Sequence, residues 1–258
     1  MSASVSKNNL APGPKAGKSE GLAETIRTVV TILAAVVLVR TFAFEPFNIP
    51  SGSMVPTLLV GDYVFVSKFS YGYSRYSFPL IHPPITGRIF GALPKRGDVA
   101  VFREPSDTSV DYIKRIIGLP GDRIQVRSGV LYVNDAPVAL KQLEDFVDDE
   151  YGFPDPTHQF QETLPGGKTH LILQRVNDGP LDNTVVFTVP PDHVFAMGDN
   201  RDNSQDSRVL SAVGYIPVEN LIGRAEFRFF SFDGNVPWWQ VWQWPFAIRY
   251  SRLLTGIV

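Results

Sequence analysis

The sequence predicts a mostly β protein carried behind one N-terminal apolar helix, and three observations predict it. Between Arg27 and Arg40 lie twelve uncharged residues, and Thr41, Phe42, Ala43 and Phe44 extend the apolar run. Beyond Glu45 come short runs of β-branched and aromatic residues, 62–67 and 98–102, each opened by Gly-Asp. Gly and Pro, 21 of each in 258 residues, favour short strands and many loops over a helical bundle. Composition sets further bounds. With 44% hydrophobic and 19% charged residues the chain is not wholly disordered. A balance of 24 Lys+Arg against 26 Asp+Glu leaves no basic excess to neutralise the phosphates of a nucleic acid. The lack of cysteine excludes disulfides, thiolate metal sites and thiol nucleophiles, and is compatible with an oxidising compartment.

Taken in order, residues 1–20 are polar and small and read as a disordered tail. Thr28 to Phe44 span 17 positions, about 25 Å of helix, a little short of a ~30 Å hydrocarbon core. Arg40 can snorkel, so a short span fits; a cleavable signal cut near Thr41-Phe42-Ala43 fits as well. Lys7, Lys15, Lys18 and Arg27 against Glu20 and Glu24 put the N-terminus in the cytoplasm and everything after Phe44 outside. Residues 124–135 read as a hairpin turning at Ser128-Gly129, with Asn134-Asp135 as the next turn. Residues 72–95, with Pro79, Pro83, Pro84 and Pro94, read as a surface insertion, and 136–190 as part of a second lobe without a site-like cluster. Further strands are expected over 184–190 and 225–230. Trp238, Trp239, Trp242 and Trp244 crowd between Pro237 and Pro245, before Arg249 and Arg252. They suit a membrane interface with the arginines on anionic headgroups, the alternative being packing against the β core.

Three segments carry candidate chemistry. In Ile49-Pro50-Ser51-Gly52-Ser53-Met54-Val55-Pro56 the prolines restrict φ and make a rigid loop, which a nucleophilic serine needs. In the strand 111–118, Tyr112, Lys114 and Ile116 share a face, so apolar neighbours can desolvate the ammonium. Only a neutral amine accepts a serine proton. In the polar loop 197–208 an EF-hand reading fails: the sixth place lacks glycine and the twelfth is Val213, so no metal is expected. Asp206 paired with Arg208, and Ser204 free to orient an amine, is the better reading. No histidine occurs in these segments, which leaves lysine as the base.

Residues 40–47, 49–58, Gly61-Asp62, 96–99, 112–122 and 198–208 together closely resemble the motifs of the bacterial type I signal peptidases, in that family's order. Residues 1–25, 73–95, 136–190 and the last twenty match little that is diagnostic. The resemblance implies a membrane-anchored serine endopeptidase that removes signal peptides after Ala-x-Ala sites. Ser53 is then the nucleophile and Lys114 the general base. Ser51 and the Ser53 N–H form the oxyanion site; Ser204 hydrogen-bonds Lys114, and Asp206 and Arg208 support the loop. Ile49, Pro50, Met54, Leu58 and Tyr112 would shape the pocket for the residue before the cut, and Phe47, Val101 and Ile113 the pocket two residues further back. The implied fold is an antiparallel β catalytic domain over 45–125 and 195–232, with a second β lobe inserted at 126–194. A disordered cytoplasmic tail over 1–25, a retained transmembrane helix over 26–44 and a Trp-rich membrane-proximal tail over 233–258 complete it. The implied partners are exported preproteins, the lipid bilayer and the secretion translocon, with no nucleic acid and no cofactor. A serine–lysine self-cleaving repressor-type protease and a non-enzymatic, membrane-anchored binding module are the rivals; the membrane segment argues against the first, and the joint presence of Ser53, Lys114 and Ser204 against the second.

Overall fold

The computed structural model describes residues 18–78, 83–148, 153–175, 179–233, 236 and 239–257; the first 17 residues of the tail expected over 1–25, and Trp238, lie outside them. The chain divides into two units, one ending at Leu38 and one running from Val39. The first is built on α1 (Lys18–Phe42). Its stretch Gly21–Phe42 has 22 residues and a mean hydropathy of 2.0, and within it only Thr41, near its end, is buried. At about 1.5 Å per residue that is roughly 33 Å, enough to cross a ~30 Å hydrocarbon core. The span is longer than the sequence count because it starts upstream. There the hydroxyls of Thr25, Thr28 and Thr31 donate to the carbonyls four residues earlier at 2.8–2.9 Å, so they need no partner outside the helix. Apolar side chains cover the helix all round, as in a segment whose surroundings are themselves apolar.

The second unit is β. In chain order its strands are β1 (Phe44–Asn48), β2 (Asp62–Ser67), β3 (Val99–Arg103), β4 (Asp111–Gly118), β5 (Arg123–Arg127), β6 (Val130–Val133), β7 (Ala136–Pro137) and β8 (Ala139–Gln142). There follow β9 (Phe146–Asp148), β10 (Phe153–Thr163), β11 (Thr169–Gln174), β12 (Phe187–Thr188), β13 (His193–Met197), β14 (Ile216–Pro217), β15 (Leu221–Ser231) and β16 (Thr255–Gly256). The main sheet runs β1-β2-β15-β3-β4-β13-β14, with β16 added to β15. Two smaller sheets, β11-β10-β8 with β9 and β12-β5-β6-β7, fall between β4 and β13 in the chain. Every pairing within the three sheets is antiparallel.

One local device recurs at the strand starts. Gly61 and Gly97 take φ of +84° and +87°, a left-handed turn that glycine adopts without strain. The following Asp62 and Asp98 then accept the backbone N–H of the residue three back, Leu59 and Lys95, at 2.9 and 3.0 Å. Ser128 and Gly129 (φ +45° and +75°) turn the β5–β6 hairpin, and Asn134 and Asp135 (+53° and +64°) the next. The main sheet is packed on both faces. Ile49, Met54, Leu58, Val64, Val99 and Ile222 fill one side, and Ala100, Phe102, Ile116, Ala196 and Leu221 another. Fully burying one such side chain contributes about 1.5–3 kcal/mol.

Three expectations need correction. Residues 72–95 are more than a surface insertion: Ser74, Tyr76 and Ser77 are buried. Arg88 donates to five carbonyls, those of Tyr71, Gly72, Val218, Glu219 and Leu221, at 2.6–3.2 Å. A guanidinium can stitch two loops together in this way with no apolar period to announce it. The strand expected over 184–190 is regular only at Phe187–Thr188: Thr184 N–H still donates to Val126 O and Val189 N–H to Asp122 O, but three residues lead from Thr184 to Phe187 against two from Val126 to Ile124, which breaks the ladder. Trp239, Trp242 and Trp244 are exposed by 59%, 65% and 42%, so packing against the core does not describe them. Arg249 and Arg252 turn inward instead of toward headgroups. Arg249 donates to the carbonyl of Val60, and Arg252 bonds Asp62 at 2.5 Å and the Thr57 carbonyl.

Candidate active site

The loop between β1 and β2 is held at both ends, by Ile49 N–H on Asp62 O and Gly61 N–H on Ile49 O. Between them a 3-10 turn, Gly52–Met54, presents Ser53, which is 7% exposed. Opposite stands β4, which pairs with β3 through Ala100↔Lys114. Lys114 is 3% exposed, and its Nζ lies 2.5 Å from Ser53 Oγ. Burial lowers its pKa to about 8, with Asp206 and Asp199 opposing that shift. Ser51 Oγ is 3.3 Å from Ser53 Oγ.

The third wall is the loop after β13. Asp206 is buried, yet Arg208 and the Gly198 N–H hold its carboxyl below the usual range against the cost of burial. Asn200 donates its N–H to the Ser53 carbonyl and its side-chain amide to the Gly52 carbonyl, both at 3.1 Å. A Cβ on Gly198 would collide with the Ser204 side chain and the Ser53 carbonyl, so only glycine lets the loop come this close. Ser204 Oγ is buried, near enough to Asp206 to favour its carboxylate, but it makes no hydrogen bond of good geometry. The hydrogen bond to Lys114 implied by the resemblance is not formed, the amine being turned to Ser53.

A cleft of about 480 Å³ opens on the pair, lined among others by Pro50, Val110, Tyr112, Ile113, Asn203 and Gln205. A side cavity of about 200 Å³ is walled by Phe47, Ile49, Val101 and Ile113, and shares Pro50 and Tyr112 with the cleft. Met54 and Leu58, expected to shape the pocket, line neither space: both are fully buried in the core below. Among the described residues no group of three or more His, Cys, Asp or Glu has the arrangement of a metal site.

Sequence reasoning missed the ionic frame beneath the pair. Arg115, next to Lys114, forks onto Asp199 at 2.7 and 2.8 Å, and Thr57 donates to the same carboxylate at 2.6 Å. Arg201 forks onto Glu162 at 2.6 and 2.9 Å, and His170 Nε2 stands 3.2 Å from Glu162. The region 136–190 therefore does hold a cluster. An arginine wedged between Lys114 and Ile116 was the available sign that a buried carboxylate must answer it.

The model of the signal peptidase family, peptidase S26, matches residues 22–230. Signal peptidase I of Rickettsia canadensis is 40% identical, with 94% of this chain and 96% of that protein covered. The corresponding protein of Rickettsia conorii is 43% identical over 88% of this chain and 90% of its own. A solved signal peptidase I from Enterococcus faecalis is 24% identical over 52% of this chain and 97% of that one, with a TM-score of 0.32. With a serine and a desolvated lysine in contact over a small cleft, and with these relatives along most of its length, the chain belongs to the signal peptidase, peptidase S26, family of enzymes.

Proposed function

We propose that this enzyme removes signal peptides from exported preproteins by acyl transfer through Ser53, with Lys114 as the base. The observation that carries this reading is the 2.5 Å contact between Ser53 Oγ and an amine that burial lowers to a pKa of about 8. In the first step the neutral Lys114 takes the hydroxyl proton as Ser53 Oγ attacks the scissile carbonyl. The Ser53 N–H and Ser51 hydroxyl receive the oxyanion, and Lys114 returns the proton to the leaving amine. A water deprotonated by Lys114 then hydrolyses the ester. Ser204, beside Asp206 and Arg208, is the reserve partner for the amine once Ser53 is acylated.

The walls of Pro50, Tyr112 and Ile113, and of Phe47, Ile49 and Val101, support two small apolar subsites suited to alanine before the cut and two residues further back. Larger side chains meet rigid core and are rejected. The 22-residue apolar stretch of α1 supports a retained membrane anchor. The basic excess before it supports a cytoplasmic N-terminus and a catalytic unit on the outer face of the cytoplasmic membrane, where the translocon delivers its substrates. The exposed Trp239, Trp242, Trp244 and Phe246 support contact with the outer leaflet. The test is processing of a preprotein with an Ala-x-Ala site by the full chain in lipid vesicles. Ser53→Ala should leave the preprotein uncut, and a variant that cuts at the normal rate refutes the proposal.

A further inference from the structure

The inserted strands β10 and β11 bury charge where nothing in the cleft requires it. Glu162 and His170 face each other across the hairpin in register, at 0% and 6% exposure. Glu162 receives both terminal nitrogens of Arg201. A buried carboxylate is costly unless paired and hydrogen-bonded, so this fork holds Arg201 firmly. Arg201 and its neighbours also receive the end of β11 along the backbone. Leu173 N–H donates to Asp199 O and Arg201 N–H to Leu173 O, each at 2.9 Å, and Arg175 N–H donates to Asp202 at 2.6 Å. Between those two backbone bonds sits Asn200, whose own donors hold the carbonyls of Ser53 and Gly52. An unbroken series of contacts thus joins the inserted lobe to the nucleophile: Glu162 to Arg201, the 199–201 backbone to Asn200, and Asn200 to Ser53.

We propose that Glu162 is a positioning residue for the peptide-cutting site, fixing through Arg201 the backbone from which the Ser53 carbonyl is held. The inserted lobe is then part of the catalytic frame. His170 Nε2 stands 3.2 Å from the Glu162 oxygen that Arg201 also holds, without a hydrogen bond of good geometry, and burial lowers the pKa of the imidazole against the pull of Glu162. Neither side chain lines the cleft, so substrate binding should be indifferent to them while the alignment of Ser53 is not.

This inference rests on Ser53 and Lys114 being the reacting pair, and the experiment separates the two claims. Full-length Glu162→Gln and Glu162→Asp are assayed in detergent with a short fluorogenic Ala-x-Ala peptide, beside Ser53→Ala and Lys114→Met. Folding is followed by circular dichroism. Folded Glu162→Gln should lose about tenfold or more in kcat with KM within about twofold, the size expected when a reacting atom is displaced by part of an ångström. Glu162→Asp, which keeps the charge, should recover part of that loss. Normal kcat in folded Glu162→Gln, or a raised KM at normal kcat, overturns the proposal. Should Glu162→Gln not fold, normal kcat in Glu162→Asp overturns it equally, and a reduced kcat at unchanged KM supports it. Activity surviving in Ser53→Ala or Lys114→Met would instead refute the reacting pair.

Discussion

Lys68 and Lys114 are both buried, at 0% and 3% exposure, and what faces each amine sets them apart. At Lys68 the Glu45 carboxylate lies 2.7 Å away and the Ser77 carbonyl 2.5 Å away, while Arg40 bonds the other Glu45 oxygen at 2.7 Å. Burial lowers the pKa of Lys68, but the touching carboxylate opposes it. At Lys114 the contacting atom is a hydroxyl, the carboxylates of Asp206 and Asp199 act only from further off, and the pKa falls to about 8. Burial alone therefore does not set the role of an amine. A buried lysine touching a carboxylate is a clasp, and one touching a hydroxyl lacks the partner that would hold its proton.

Exchanging each lysine for methionine should break the comparison in opposite directions. Lys114→Met should cost about 10²–10⁴-fold in kcat, the usual worth of a general base. The same change should raise stability at pH 7 by about 1–3 kcal/mol, because it removes an amine that folding desolvates. Peptide cleavage and thermal unfolding read the two effects, and substantial activity in folded Lys114→Met would sink the assignment. The pH profile is the next largest effect. Protonated Lys114 cannot accept the serine proton, so kcat/KM should drop about tenfold for each unit below its pKa of about 8 and level off above it. The folded pKa lies below the unfolded one, so the folded state binds fewer protons between about 8 and 10.4. Lys114 should make stability rise with pH across that window, and Lys114→Met should reduce the slope, Lys68 and Lys168, whose pKa values burial also lowers, keeping the rest.

Lys68→Met should leave kcat on a short peptide unchanged. It strands a Glu45 carboxylate that is 13% exposed with only Arg40 beside it, so the expected loss is about 2–3 kcal/mol of stability in a denaturant titration. Reduced cleavage at full stability would contradict the clasp. The finest adjustment is Asp206→Asn. Asp206 favours the charged amine, so the acid limb should move to lower pH whatever happens to the maximum rate. An unmoved limb would mean that Asp206 is not felt at Lys114.

What was legible in the sequence was local. The Gly-Asp turns, the Ser128-Gly129 hairpin and the alternation along β4 depend on neighbours in the chain, and each could be read from a few residues. The Glu162–Arg201 and Arg115–Asp199 pairs join residues 39 and 84 positions apart, and no spacing rule connects them. Glu162 also sits in a polar stretch, Phe153–Thr163, whose composition resembles a solvated edge although the residue is fully buried. The family resemblance put Met54 and Leu58 at the pocket, but it did not tell which side chains border the cleft: both are buried in the core. Charge beside tryptophan misled for a similar reason, because fully buried Asp62 needs a counter-ion and draws Arg252 inward.

That inward turn of Arg252 has a consequence in time. Its guanidinium also binds the Thr57 carbonyl, β16 completes the edge of β15, and Ile257 packs on the cluster that contains Met54 and Leu58. The segment bearing Ser53 thus takes part of its support from residues made some two hundred positions later in translation. Until residues 252–257 have cleared the ribosome, a nascent copy lacks those braces.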